Sequence, residues 1–204
     1  RKQARFQLIT TGKISQKNLL FEEQHLERLR KASRYFAYPF DPEILRQKIE
    51  EECQTCDANQ DYRLRISLSK SGELELICQI LTPLSPTFCK AKLCLQEADL
   101  NQAFTYFKTT HRPHLTLGKQ EIIYHNVKGE LLETSIGNLV LKITGKLYTP
   151  PVRLGILPGI YRQHLLETGQ VEEKVLTLAD LVQAEAIYGC NAVRGLYELS
   201  LEEN

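Results

Sequence analysis

The chain has 204 residues, 42% of them hydrophobic, with 26 basic and 25 acidic side chains and a formal net charge of +1. That is enough apolar material for one large domain or two small lobes with real cores. The balance excludes a nucleic-acid binder built on bulk positive charge and a tail built on blocks of like charge.

No apolar run is long enough to span a bilayer, and Arg1-Lys2-Gln3 opens no secretory signal. The six cysteines (Cys53, Cys56, Cys78, Cys89, Cys94 and Cys190) are therefore expected as reduced thiols of a cytoplasmic protein. Cys53 and Cys56 have C-x-x-C spacing, but no second pair, paired histidines or preceding strand accompanies them. Packed bystander thiols are expected, and no metal site. Met and Trp are absent, position 1 included, so the chain reads as a domain cut from a longer polypeptide.

Arg5 to Ile14 reads as a strand, with Phe6, Leu8 and Ile9 as its apolar bulk. From Phe21 to Phe36, Leu26, Leu29, Ala32 and Phe36 recur near helical spacing. Asp41-Pro42-Glu43 supplies the N-cap and first position of a second helix through Ile44, Leu45 and Ile49. Tyr62–Ser69 and Glu73–Leu81 alternate apolar with polar around Lys70-Ser71-Gly72, which predicts a β-hairpin. A further strand is predicted at Ala91–Gln96. Beyond Gln102 come short strands at Glu121–His125, Leu131–Glu133, Asn138–Ile143 and Lys146–Tyr148, punctuated by Gly129, Gly137 and Gly145. Helices are predicted at Ile160–Glu167 and Leu178–Gln183, then strands at Ala186-Ile187-Tyr188 and Tyr197–Leu201. Two lobes follow, joined near Ala98–Phe107.

Several residues of the second half carry chemical potential. Lys108 follows Tyr106 and Phe107 and precedes Thr109 and Thr110; alone it reads as a solvated side chain. Glu133 lies in a strand-like run between Leu132 and Ile136, and alone reads as a wet-face residue. Pro158-Gly159-Ile160-Tyr161 presents free amides at a helix start, a seat for phosphate, though most such termini bind nothing. Together they supply what pyridoxal phosphate (PLP) needs: an amine, a carboxylate for the pyridine nitrogen and donors for a dianionic phosphate.

Five blocks in order carry a resemblance. They are Glu23-Gln24-His25-Leu26-Glu27-Arg28-Leu29; Lys108-Thr109-Thr110-His111-Arg112; Gly129-Glu130-Leu131-Leu132-Glu133-Thr134-Ser135 with Asn138-Leu139; Tyr148-Thr149-Pro150-Pro151 with Gly155-Ile156-Leu157-Pro158-Gly159-Ile160-Tyr161-Arg162; and Ala184-Glu185-Ala186-Ile187 with Asn191-Ala192-Val193-Arg194-Gly195. In this order, across nearly the whole chain, they resemble the class IV aminotransferases. The Thr-Pro-Pro, Gly-x-Leu-Pro-Gly-Ile and Asn-Ala-x-Arg-Gly pieces look most like aminodeoxychorismate lyases, in particular lyase domains at the C-terminus of aminodeoxychorismate synthase component I fusions. Two departures stand out. The interval from Lys108 to Gly129 is several residues shorter than usual and the tyrosine often found soon after the lysine is absent, with His114 near its place; Thr10-Thr11-Gly12 replaces a more usual Glu-Thr pair.

The resemblance implies an α/β, two-lobed, D-amino-acid-aminotransferase-like fold. An N-terminal α/β lobe would cover residues 1–100, and a C-terminal lobe over 101–204 would hold the PLP lysine and the phosphate-binding turn. It implies that Lys108 holds PLP covalently and acts as general base, and that Glu133 keeps the ring nitrogen protonated. Arg28, the turn at Gly159 with the amides of Ile160 and Tyr161, and Asn191 with Ala192 would bind the phosphate. Arg194, and after it Arg112 or Arg153, would hold a substrate carboxylate. The implied reaction converts 4-amino-4-deoxychorismate to 4-aminobenzoate and pyruvate, in folate biosynthesis. A branched-chain or D-amino-acid transaminase is the alternative, and a degenerate non-catalytic domain of a synthase fusion is a third. The expected partners are a small-molecule substrate, a second copy in a homodimer and a fused or associated synthase domain, with no nucleic acid and no membrane.

Overall fold

Residues 6–96 and 102–202 are described by the structure, a computed structural model. They fall into two units: the chain up to Thr82 together with Phe107–Arg112, and Pro83–Tyr106 together with the chain from Pro113 onward.

In the first unit, β1 (Leu8–Ser15), β2 (Asn18–Leu19), β3 (Tyr62–Leu68) and β4 (Leu74–Ile80) form an antiparallel sheet in the order β2-β1-β3-β4. Helices α1 (Glu22–Phe36) and α2 (Pro42–Thr55) connect β2 to β3. The hairpin forms where predicted: Gly72 takes φ +88° and its N–H donates to the Ser69 carbonyl at 3.0 Å. Helix α2 starts as its sequence dictates, with Asp41 Oδ1 accepting from the Glu43 amide at 2.9 Å and Pro42 next to the cap. Such a cap contributes about 1 kcal/mol. Helix α1 starts one residue later than predicted, because Phe21 sits outside it in the left-handed region at φ 58°. Leu26, Leu29 and Ala32 of α1 and Leu45, Ile49 and Cys53 of α2 share one core with Leu8, Ile14, Leu64, Ile66 and Leu68. Cys56 is buried in the same core, and burial pushes the Cys53 thiol up to about 11. Of the predicted first strand, Arg5 lies outside the described residues.

The boundary between units differs from the predicted one, and Lys108 changes sides. Residues 1–100 and 101–204 were the expected lobes, but the first unit ends at Thr82 and Phe107–Arg112 returns to it. The cause is backbone pairing to the start of β1. Ile9 N–H donates to Lys108 O at 3.0 Å, Thr110 N–H donates to Gln7 O at 2.9 Å, and Thr109 bridges Leu8. The Phe107 ring packs against Tyr35 and Phe36, with centroids 4.7 and 5.4 Å away. Ala98, the other end of the predicted join, lies outside the described residues.

The second unit holds β5 (Lys90–Leu95), α3 (Gln102–Tyr106), β6 (Ile122–His125), β7 (Leu131–Thr134), β8 (Asn138–Ile143), β9 (Lys146–Thr149), α4 (Ile160–Glu167), β10 (Glu172–Glu173), α5 (Leu178–Gln183), β11 (Ala186–Asn191) and β12 (Gly195–Leu201). The sheet runs β10-β9-β8-β11-β12-β5-β6-β7, and β7 pairs back onto β8. That last pairing closes the strands from β8 to β7 into a barrel, which removes their free edges. Ala91, Ile123, Leu131, Leu139, Leu141 and Leu199 are buried together. Between β6 and β7 the pairs Ile123↔Thr134 and His125↔Leu131 leave one more residue on β7 than on β6, a β-bulge. No helix among the described residues is long and apolar enough to cross a membrane.

Leu64 is fully buried under both helices of the first unit. Replacing it with Ala should cost about 2–5 kcal/mol. Urea unfolding should show a lower midpoint with an unchanged slope.

Candidate active site

The first unit gathers basic groups around α1. His25 and Arg28 stand three residues apart, hence on one helix face. His25 has no exposed surface; its Nδ1 lies 2.6 Å from Thr10 Oγ1. A Cβ at Gly12 would collide with the His25 ring and with Leu19. This explains Thr10-Thr11-Gly12 locally: the strand provides a hydroxyl for one ring nitrogen and a gap for the rest. Burial, then the charges of Arg28 and Lys108, push His25 down to about 3, so its imidazole is neutral. Burial, then Arg112, bring Arg28 down to about 10. Lys108 is half-buried, its backbone fixed by β1. Arg28, Lys108 and Arg112 thus share a neighbourhood in which like charges disfavour one another, an arrangement that an anion relieves.

The second unit contributes a buried carboxyl and a helix start at a glycine turn. Glu133 sits in the bulged segment of β7, opposite Asn138, and is 2% exposed. The expectation of a wet face for a lone strand glutamate fails here because the bulge breaks the alternation, and all four β7 side chains are buried. His114 Nε2 lies 4.0 Å from Glu133 Oε1, both side chains nearly inaccessible. Asn138 then reaches across to the next block, its Nδ2 donating to Leu157 O at 2.8 Å.

A Cβ at Gly159 would drive into Asn138 Oδ1, so only glycine fits where the turn approaches this side chain. Gly159 provides no side-chain cap to α4, and the first-turn amides of Ile160 and Tyr161 have no acceptor within the helix itself. With the helix dipole behind them, those amides favour a bound anion.

Asn191 closes the arrangement. Its Oδ1 accepts from the amides of Val193 (3.0 Å) and Arg194 (2.8 Å), and its Nδ2 donates to Ile136 O at 3.1 Å. The side chain therefore shapes the loop and ties it to the turn after Glu133, with Ala192 held between. Arg194 is half-buried, and burial lowers its guanidinium below the usual range. Tyr161 Oη would lie 3.3 Å from a Cβ at Gly195, so this loop packs on the α4 start. Of the other carboxylate-binding candidates, Arg112 lies in the first unit and Arg153 is exposed.

Among the predicted residues, the first unit brings together Arg28, Lys108 and Arg112. The second brings together Glu133, Gly159, Ile160, Tyr161, Asn191, Ala192 and Arg194. Sequence reasoning gave no role to His25, to His114 beside Glu133, or to Glu121 and Tyr197 behind the β7 turn. His25 carried a signal, being part of the same helix block as Arg28; the others meet only through distant pairing.

A buried strand carboxyl and a glycine turn at a helix start in one unit, and a lysine among cations in the other, are the kinds of group that a phosphorylated, basic aromatic cofactor requires. Residues 7–200 match the family model for amino-transferase class IV, and the chain belongs to that family. It is 24% identical over 251 aligned positions to the aminodeoxychorismate lyase of Saccharomyces cerevisiae, covering 89% of this chain and 67% of the yeast protein. Other curated relatives are matched over 30%, 35% and 41% of their length. A Mesorhizobium loti protein named as an amino-acid aminotransferase superposes with a TM-score of 0.84 at 27% identity, covering 97% of this chain and all of that one. The PLP-bound form of a Mycobacterium tuberculosis protein superposes with a TM-score of 0.80 at 18% identity, covering 96% of this chain and 81% of that one. The fold is the mixed α/β class IV fold with its β-barrel, and the family cofactor is PLP. The residues present fit that cofactor: Gly159 leaves a cradle at an anion-seeking helix start, and Glu133 is a buried carboxyl able to face a protonated ring nitrogen.

His25 also sets a pH dependence. Its folded value of about 3 lies below the ordinary 6.5, so the unfolded chain binds the proton first as pH falls. Stability is lost as pH drops from about 6.5 towards 3, at up to about 1.4 kcal/mol per pH unit. Urea midpoints across that range should fall less steeply for His25→Gln than for the unmodified protein.

Proposed function

We propose that the chain is a PLP-dependent lyase that converts 4-amino-4-deoxychorismate to 4-aminobenzoate and pyruvate. One observation carries this reading: two of the three segments that look most like aminodeoxychorismate lyases are tied to the stretch that follows Glu133. Gly155–Ile160 is bound to it through Asn138, and Asn191–Gly195 through the Asn191 amide. The match to the yeast lyase over 89% of the chain supports it further.

In this reading the amine of Lys108 holds PLP, and Glu133 pairs with the ring nitrogen. Arg28 and the amides of Ile160, Tyr161 and Ala192 take the phosphate by charge-assisted hydrogen bonds. Asn191 acts by shaping the loop that presents Ala192. PLP supplies the electron sink that makes the carbon bearing the substrate amine acidic. With PLP bound, Lys108 would be the general base that takes the proton from that carbon. The ring then becomes aromatic as the enolpyruvyl group departs, and protonation of that group gives pyruvate. Arg194 holds a substrate carboxylate, and the neutral His25 keeps α1 seated against β1 so that Arg28 is in place. A homodimer, and a fused or associated synthase domain that makes the substrate, belong to the same proposal.

A transaminase is the second reading, favoured by the superposition on the Mesorhizobium loti protein over that protein's whole length. Incubation with 4-amino-4-deoxychorismate and no keto-acid acceptor should release 4-aminobenzoate and pyruvate in equal amounts. Amino-group transfer that requires a keto acid, with no pyruvate formed, would establish the transaminase instead. Lys108→Ala should lose both the yellow colour of lysine-bound PLP and turnover. Retained lyase activity in that variant would defeat the assignment of Lys108. A protein that stays colourless with PLP added would be the non-catalytic domain.

A further inference from the structure

Behind Glu133 lies a second carboxyl that the proposed chemistry does not use. Glu121, one residue before β6, has no exposed surface. It accepts from Thr134 Oγ1 at 3.2 Å, from Ser135 Oγ, from Tyr197 Oη at 2.9 Å and from the Ile122 amide at 3.3 Å. A carboxyl shut away from water is costly unless donors surround it. Here two of the donors belong to the residues directly after Glu133.

Tyr197 comes from 76 residues away, and the chain makes room for it. Its ring lies against Gly189, where a Cβ would overlap it, and its oxygen would be 2.8 Å from a Cβ at Gly137. Burial and the nearby Glu121 hold its phenol well above the usual range, so it remains a protonated donor.

The placement matters because of the bulge. The extra residue of a bulge lacks regular ladder bonds, so its side chain is aimed by whatever fixes the flanks. On the far flank, Ser135 N–H donates to Ile122 O at 3.0 Å, and Gly137 N–H donates to Thr134 Oγ1 at 3.0 Å. The Thr134 hydroxyl lies within bonding distance of both Glu121 and Gly137 O. Each of these contacts involves a hydroxyl that Glu121 holds or a neighbour of one.

We propose that Glu121 is a positioning residue: by gripping Thr134 and Ser135 against Tyr197, it fixes the β7 bulge and so aims the Glu133 carboxyl at the ring nitrogen of PLP. This rests on the reading of Glu133 given above.

The test uses the holoenzyme loaded with PLP carrying nitrogen-15 in the ring, whose chemical shift reports protonation directly. The unmodified protein should hold that nitrogen protonated at neutral pH. Glu121→Gln should keep PLP on Lys108 yet move the protonation equilibrium by about tenfold towards the neutral ring, one pKa unit. Ser135→Ala and Tyr197→Phe should each give a smaller shift in the same direction, and their combination carries the test if Glu121→Gln does not fold. A lowered melting temperature with an unchanged nitrogen signal would make Glu121 a merely structural residue and overturn the proposal. Glu133→Ala separates the two claims: if it leaves the nitrogen signal unchanged, the pairing of Glu133 with the ring is wrong. If Glu133→Ala abolishes protonation while the other variants do not shift it, only the role of Glu121 fails.

Discussion

The second unit is organised around keeping a carboxyl out of water on a strand that is buried along its whole length. Glu133 can occupy β7 because the ladder with β6 is broken by one extra residue. That defect in pairing would be a weakness in an open sheet. In a closed barrel it is contained, since both neighbours of β7 are themselves paired onward. Asn191 and Glu121, from two distant parts of the chain, each bond to residues around the defect, while Asn138, paired with Glu133, sends its own side chain out to Leu157. The turn at Gly159 and the loop at Asn191 are therefore built outward from the same few residues that bury the acid.

The first unit solves a different electrostatic problem. It brings basic groups together and keeps one of them, His25, uncharged by enclosing it. A protonated imidazole there would add to the crowding of Arg28 and Lys108. The Thr10 hydroxyl and the absence of a side chain at Gly12 allow the enclosure, so an apparent departure from the family pattern has a local steric reason.

The elements legible in the sequence were those with a local signal. Asp41-Pro42 marked the start of α2, Gly72 marked the hairpin, and β8, α4 and α5 have the bounds that their patterns predicted. The two-residue strands β2 and β10 and the five-residue α3 are too short to show a period. Lys108, Glu133 and the Gly159 turn were legible as residue types in family order. Glu121 was not: it reads as the polar start of a strand, and its partners lie 13, 14 and 76 residues away. The return of Phe107–Arg112 to the first unit was not legible for the same reason, because its pairing with Gln7 and Ile9 is long-range.

That ribbon makes the first unit discontinuous. A fragment ending at Thr82 would carry its four strands and two helices, but Gln7 O and Ile9 N–H would lose their partners and the Tyr35 and Phe36 rings would lose Phe107. Such a piece would expose an aromatic patch beside a bare strand end, the combination that invites self-association. Shuffling this protein with its relatives thus calls for crossovers that carry the lysine-bearing ribbon along with the strand it completes.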